Sequence, residues 1–290
     1  MSHPGFNGGL ATRRAMDSRV SLSQRRRSIR AQQQELEGKL AALQKDYADL
    51  HTAMFEAGQV HRRLCAPRLV RRGDFEIASE IFAVRHLAGD FFTVRDAGTK
   101  VILALGDVCG KGLAAGMWTT HLVGLVGARA AVHSEPESIV AGVNRDVCLM
   151  SPVVPLASLF IARLDPVKGK LEYCSAGHPP ALLLRADGKV ESLSDGGLLV
   201  GVMPTAPYVR GCVRLSAGDV LVAYSDGVLE SLNQSDEEFG PARIEAQLRR
   251  APKDSAESVL FSVLGAVQDF AATCPIVDDM SLVIIRRDYH

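Results

Sequence analysis

No window of the 290-residue chain approaches the 18 or more uninterrupted apolar residues that a bilayer-spanning helix needs, and no apolar run follows its Arg-rich start. A membrane span and a secretory signal are therefore not expected. The six cysteines (65, 109, 148, 174, 212, 274) include no C-x-x-C pair, which argues against both a disulfide scaffold and a zinc ribbon. A reducing, cytoplasmic setting is expected. H-E-x-x-H, a Walker lysine loop and G-x-S-x-G are all missing, and there is no internal repeat.

Net charge is also missing, since 33 basic side chains face 33 acidic ones, but the balance is uneven along the chain. Residues 1 to 31 hold seven Arg against the single Asp17, so the remainder carries an equal and opposite charge. A basic tail can touch nucleic acid, yet this one has a single aromatic, Phe6, and no base-reading motif. Residues 1–20 read as a solvated, flexible tail without a nucleic-acid partner. Next, Leu22, Ile29, Leu36, Leu43, Leu50, Ala57 and Leu64 recur every seven residues, and Leu40, Tyr47 and Met54 form a second apolar column. That a/d seam predicts a coiled-coil helix over residues 21–66 and a homodimer through it, though Arg26 and Gln33 weaken the seam before Leu36. A single amphipathic helix packed on its own domain would use the same stripe. Pro67 ends the helix in either case.

What is plentiful beyond Pro67, over 67–290, is short apolar runs broken by Gly, Asp and Pro. Strands are expected at 75–84, 100–108, 156–164, 170–174, 209–215, 220–223 and 281–286. Helices are expected at 113–132, 136–150, 241–250 and 256–271, with Ser134 and Ser255 as N-caps. Strands in neighbouring pairs, with helices set apart from them, fit an α+β fold with antiparallel sheets better than repeated βαβ units.

Chemistry is expected from aspartates placed beside glycine at the ends of apolar strands: Asp90, Asp107, Asp226 and the pair Asp278 and Asp279. Carboxylates delivered from rigid strand ends hold hard divalent cations in oxygen coordination. Each taken singly also reads as a turn, because Asp-Gly and Gly-Asp are common turn pairs; Gly73-Asp74, Asp187-Gly188, Asp195-Gly196 and Gly218-Asp219 are read that way. The apolar context of 101–105 and 220–223 sets the others apart, since an acid among buried strands must find a partner.

Four ordered segments then carry a family resemblance: Asp107-Val-Cys-Gly-Lys-Gly112, Ser175-Ala-Gly-His-Pro-Pro180, Tyr224-Ser-Asp-Gly-Val228 and Asp278-Asp-Met-Ser281. Together, over about residues 65 to 290, the chain resembles metal-dependent PPM (protein phosphatase 2C-like) serine/threonine phosphatases, in their bacterial SpoIIE/RsbU-like branch. The resemblance implies a four-layer α-β-β-α sandwich of two antiparallel sheets flanked by helices, with two Mn²⁺ or Mg²⁺ ions at one edge. It implies Asp90, Asp107, Asp226 and Asp278 as metal carboxylates and catalytic residues, the Val108 carbonyl as a backbone ligand, and Asp279 beside them in direct or supporting contact. The implied reaction is attack of metal-activated water on a phosphoserine or phosphothreonine of a regulatory protein, of the anti-sigma-antagonist (STAS) type.

Ala88 and Thr93 depart from the family's G-G-D-F-Y-D, which leaves a catalytically weak binding module as the alternative reading. Cys109 reads as small buried filler or as a thiol able to take a softer metal. His178 reads as structural. Lys111, Cys109 and water are open candidates for the leaving-group acid, and Arg85 and His86 for a phosphate contact.

Overall fold

A computed structural model describes residues 9–65, 67–150 and 156–289, with side chains from residue 25 onward. The first element is a long helix, α1 (Gly9–Arg62), which begins inside the stretch expected to be a flexible tail. Its seam residues Leu36, Leu40, Leu43, Tyr47 and Leu50 are exposed. One unit of the chain spans 1–55; a second, compact unit spans 56–290 and so takes in the last turns of α1, where the sequence suggested a boundary at 67.

In the second unit the first sheet and its neighbours are built from β1 (Leu69–Arg72), β2 (Phe75–Phe82), β3 (Phe91–Ala97) and β4 (Lys100–Val108). Helices α2 (Leu113–Val132) and α3 (Pro136–Met150) follow, then β5 (Ala157–Asp165), β6 (Lys170–Ala176), β7 (Ala181–Leu184), β8 (Val190–Leu193), β9 (Gly196–Gly197) and β10 (Gly211–Arg214). The chain continues through β11 (Val220–Tyr224), the one-turn α4 (Asp226–Leu229), α5 (Gly240–Arg250), α6 (Ala256–Ala271) and β12 (Met280–Arg287). One sheet runs β1-β2-β12-β11-β7-β8; the other runs β10-β6-β5-β4-β3, with β9 added to β6. All pairings are antiparallel except β6 with β9.

Three apolar layers explain why the central strands read as continuous hydrophobic runs rather than alternating ones. Val101, Leu103 and Leu105 of β4 meet Leu221 and Ala223 of β11 and Val283 and Ile285 of β12 between the sheets. The opposite faces serve the helices. Ile102 and Ala104 pack under Leu122, Val126, Ile139 and Val143 of α2 and α3. Val222, Leu282 and Ile284 pack under Leu248, Val259, Val263 and Val267 of α5 and α6. Strands buried on both faces keep no polar alternation, and the sum is the expected four-layer α-β-β-α sandwich.

Ser255 caps α6 as expected, its hydroxyl accepting the Ser258 N–H at 3.0 Å. Ser134 does not cap α3: its hydroxyl donates to the Glu135 carboxylate, and the Glu135 carbonyl takes the first helical N–H groups. Glu135, next to Pro136, is thus the residue that starts the helix. Strands β1, β3, β7, β8 and β9 were not expected from the residues alone.

Candidate metal centre

The topology brings four strand ends to one edge of the sandwich. Asp90 immediately precedes β3 and Asp107 is the penultimate residue of β4, and these strands pair Phe91 with Gly106. On the facing sheet Asp226 opens α4 directly after β11, and Asp278 and Asp279 lead into β12, with Tyr224 paired to Leu282. Gly227 permits the approach of these two, because a Cβ there would overlap the Asp279 carbonyl oxygen. Gly89 does the same between the neighbouring ends of β3 and β4: a Cβ on it would lie 3.1 Å from the Val108 carbonyl oxygen and 3.3 Å from Asp107 Oδ1. The Val108 N–H donates to the Gly89 carbonyl, and the buried Thr119 hydroxyl of α2 donates to the same oxygen at 2.6 Å. The loop bearing Asp90 is thereby held against the end of β4.

Electrostatics show carboxylates crowded without enough cations. Asp90 is 1% exposed, and its Oδ2 has no hydrogen-bond partner. Burial, then the Asp107 charge, hold its carboxyl well above the usual range. Asp107 is pushed up to about 6 by burial, then by Asp226, with Asp278 and Asp279 adding to it. Asp226 is raised by burial and Asp278. Lys111 supplies one local compensation: its Nζ lies 2.8 Å from Asp278 Oδ2 and donates to the Val277 carbonyl at 2.7 Å. Among the described residues no three His, Cys, Asp or Glu side chains close into a cage for an ion. The acids instead line a common edge. A buried, unpartnered carboxylate oxygen among mutually repelling carboxyls fits a hard divalent cation, which would satisfy that oxygen and reverse the repulsion.

Asp279 is placed differently from the other four. Its Oδ1 accepts the Val84 N–H and its Oδ2 the Gly89 N–H, both at 2.7 Å. Both oxygens are thus committed to bracing the loop before Asp90, which favours the supporting contact over direct ligation. Thr93 is buried in β3 opposite Ala104. Cys109 is exposed rather than core filler, and burial, followed by Asp107 and Asp226, holds its thiol above the ordinary value. His178 is structural as expected: buried, its Nδ1 2.7 Å from the Ser158 hydroxyl, and lowered to about 3 by burial, so its ring is neutral. Arg85 lies over Gly112, whose φ of 80° suits glycine.

Sequence reasoning missed several neighbours. Ser225 receives the Ser281 N–H at 2.9 Å and stitches β11 to β12 beside Asp90. His61, in the last turn of α1, is buried, its Nε2 unpartnered and its pKa lowered by burial against the pull of Asp279. Ser225 stands in the Tyr224–Val228 segment but gave no sign of its role, and His61 stands in no motif; each is recruited through the fold.

A four-layer sandwich with aspartates gathered from both sheets at one edge defines a PP2C-type (PPM) phosphatase fold. The chain belongs to the SpoIIE family: the family described as Stage II sporulation protein E matches residues 97–288, and the chain falls in its SpoIIE/RsbU branch. It is 23% identical over 235 residues to the phosphoserine phosphatase RsbU of Bacillus subtilis (strain 168), covering 80% of this chain and 69% of RsbU. The SiaA-PP2C domain of Pseudomonas aeruginosa superposes with a TM-score of 0.73 at 17% identity, over 86% of this chain and all of that one. RsbX, solved in complex with magnesium, superposes with a TM-score of 0.57 at 17% identity, over 76% of this chain and 98% of that one. No helix among the described residues is long and apolar enough to cross a membrane.

Proposed function

We propose that the chain is a metal-dependent protein serine/threonine phosphatase acting on a phosphorylated regulatory protein of the anti-sigma-antagonist (STAS) type. The observation that carries this reading is the convergence of Asp90, Asp107, Asp226 and Asp278 from four strand ends, with three of their carboxyls held above the ordinary range. Kinship with RsbU supports the phosphoserine chemistry. Asp90, Asp107, Asp226, Asp278 and the Val108 carbonyl would hold two Mn²⁺ or Mg²⁺ ions, with Asp279 in support. Bound there, the ions would supply an acidified water and neutralise the charge on the phosphoryl oxygens.

The protein's own part is positional. Asp279 and Thr119 fix the loop of Asp90, Gly227 lets Asp226 sit against residues 278–279, and Lys111 offers a cation on the solvent side of Asp278. With His178 neutral and buried, the candidates for the proton taken by the departing serine oxygen are Lys111, Cys109 and solvent. Helix α1 carries an exposed heptad seam suited to a second copy of the chain, so the working form is read as a homodimer.

The test is hydrolysis of p-nitrophenyl phosphate and a phosphoserine peptide with added Mn²⁺ by wild type, Asp107→Asn and Asp226→Asn. Metal-dependent turnover that falls on the order of a hundredfold or more in both variants is expected. No turnover by the wild type at any Mn²⁺ concentration would instead leave a binding module.

A further inference from the structure

Beside Asp278 and Gly227 lies a cavity of about 230 Å³, walled further by Lys111, Glu230, Leu232, Glu238, Ile276 and Val277. Three of its properties bear on what it accepts. The first is position. Asp278 and Lys111 belong both to the metal centre and to the cavity wall, so a peptide with its phosphoserine at the carboxylates brings a neighbouring residue to the cavity mouth. The second is size. Pockets for free small ligands usually run to about 300–1,000 Å³, so this one suits a single side chain.

The third is chemistry. Leu232, Ala271, Pro275, Ile276 and Val277 give apolar walls that would cover a methylene stem. Glu230 and Glu238 stand at the mouth without a hydrogen bond or ion pair from their carboxylates to any described residue. Lys111, the cation in the cavity wall, is engaged by Asp278 and the Val277 carbonyl, and the neighbouring Arg243 donates to the Glu238 main-chain carbonyl and pairs with Glu237. A long side chain with an apolar stem and a cationic head matches both features.

We propose that this cavity is the subsite for an arginine or lysine flanking the phosphorylated residue of the substrate protein, with Glu230 and Glu238 as the specificity-determining residues. The inference rests on the phosphatase reading above. It also separates roles along the edge, with Asp278 shared between the metal centre and a neighbouring recognition pocket.

The experiment compares phosphoserine peptides that differ only in carrying Arg, Ala or Glu within two positions on either side of the phosphoserine. Ratios of kcat/KM between peptides are taken within one protein, so changes in overall turnover cancel. Wild type should favour an Arg peptide over its Ala counterpart about tenfold at one of these positions, the scale of one charge-assisted contact. The double variant Glu230→Gln/Glu238→Gln should lose that preference, and Glu230→Lys/Glu238→Lys should turn it toward the Glu peptide. Equal ratios in wild type, or a preference that survives both double variants, would overturn the subsite. If no peptide and no p-nitrophenyl phosphate is hydrolysed, the phosphatase reading has failed instead. Fluorescence anisotropy with the same labelled peptides then decides the subsite, and equal affinities for Arg and Ala peptides would overturn it.

Discussion

Asp107 shows how much of the site is written in single residues. Flanked by an apolar strand and a glycine-rich loop, it could be picked out as an acid in need of a partner. Its consequence for stability follows from linkage. In an unfolded chain it titrates near 4, while in the fold burial and then the neighbouring carboxylates push it up to about 6. Between those values the folded state holds the extra proton, so its contribution to stability falls as pH rises through this window, and above it Asp107 is a net cost. Buried His178, lowered to about 3, works in the opposite sense below its unfolded value, so the total slope is not the test. The difference between wild type and Asp107→Asn is. In EDTA at pH 7 the variant should melt higher by about 2–4 °C, on the order of 1 kcal/mol for a partly exposed group, and the gain should vanish near pH 4. Equal melting at both pH values would show that Asp107 is not under the repulsion described. Asp279 was harder to read because its partners, the Val84 and Gly89 N–H groups, are backbone donors some 190 residues away, and no residue type signals them.

At the scale of elements, legibility tracked length and caps. Helices α2, α3 and α6 appear within the bounds expected from their apolar spacing and flanking turn residues, and β4 likewise. Strand β3 was obscured because Gly89-Asp90-Phe91-Phe92 reads as a loop motif and the strand's far end, Arg95 and Asp96, is exposed. Strands β7 and β8 are four residues each, too short for a period to show. Capping gives a direct check on α6. Ser255→Ala removes the acceptor of the Ser258 N–H and should cost about 1 kcal/mol, seen as a fall in the denaturation midpoint. Ser134→Ala should cost less than half as much, because the Ser134 hydroxyl points to the Glu135 carboxylate and caps nothing. Equal losses would mean that the two helix starts are alike after all.

For the whole molecule, the sandwich was legible as a class and its edge site as a set of residues, whereas the pairing of the long helix was only suggested. The heptad seam of α1 is exposed from Ile29 to Leu50, and a helix of this length with an unpaired apolar stripe is ordinarily completed by another helix. Light scattering on the full chain should give twice the 31.2 kDa chain mass. Removal of residues 1–55, at the division between the two units, should return a monomer. Monomeric mass for both would exclude the homodimer.

Strand β12 lies between β2 and β11 in the middle of its sheet, and it follows directly on Asp278 and Asp279. Residues near the end of the chain thus complete both a central strand and the acidic edge, while their partners in β2 are made some two hundred residues earlier. On the ribosome the earlier strands must wait, with an open gap at the centre of the sheet, until residues 278–287 have emerged. On the phosphatase reading proposed above, a chain that stops short of residue 278 would lack both that central strand and two of the aspartates of the acidic edge.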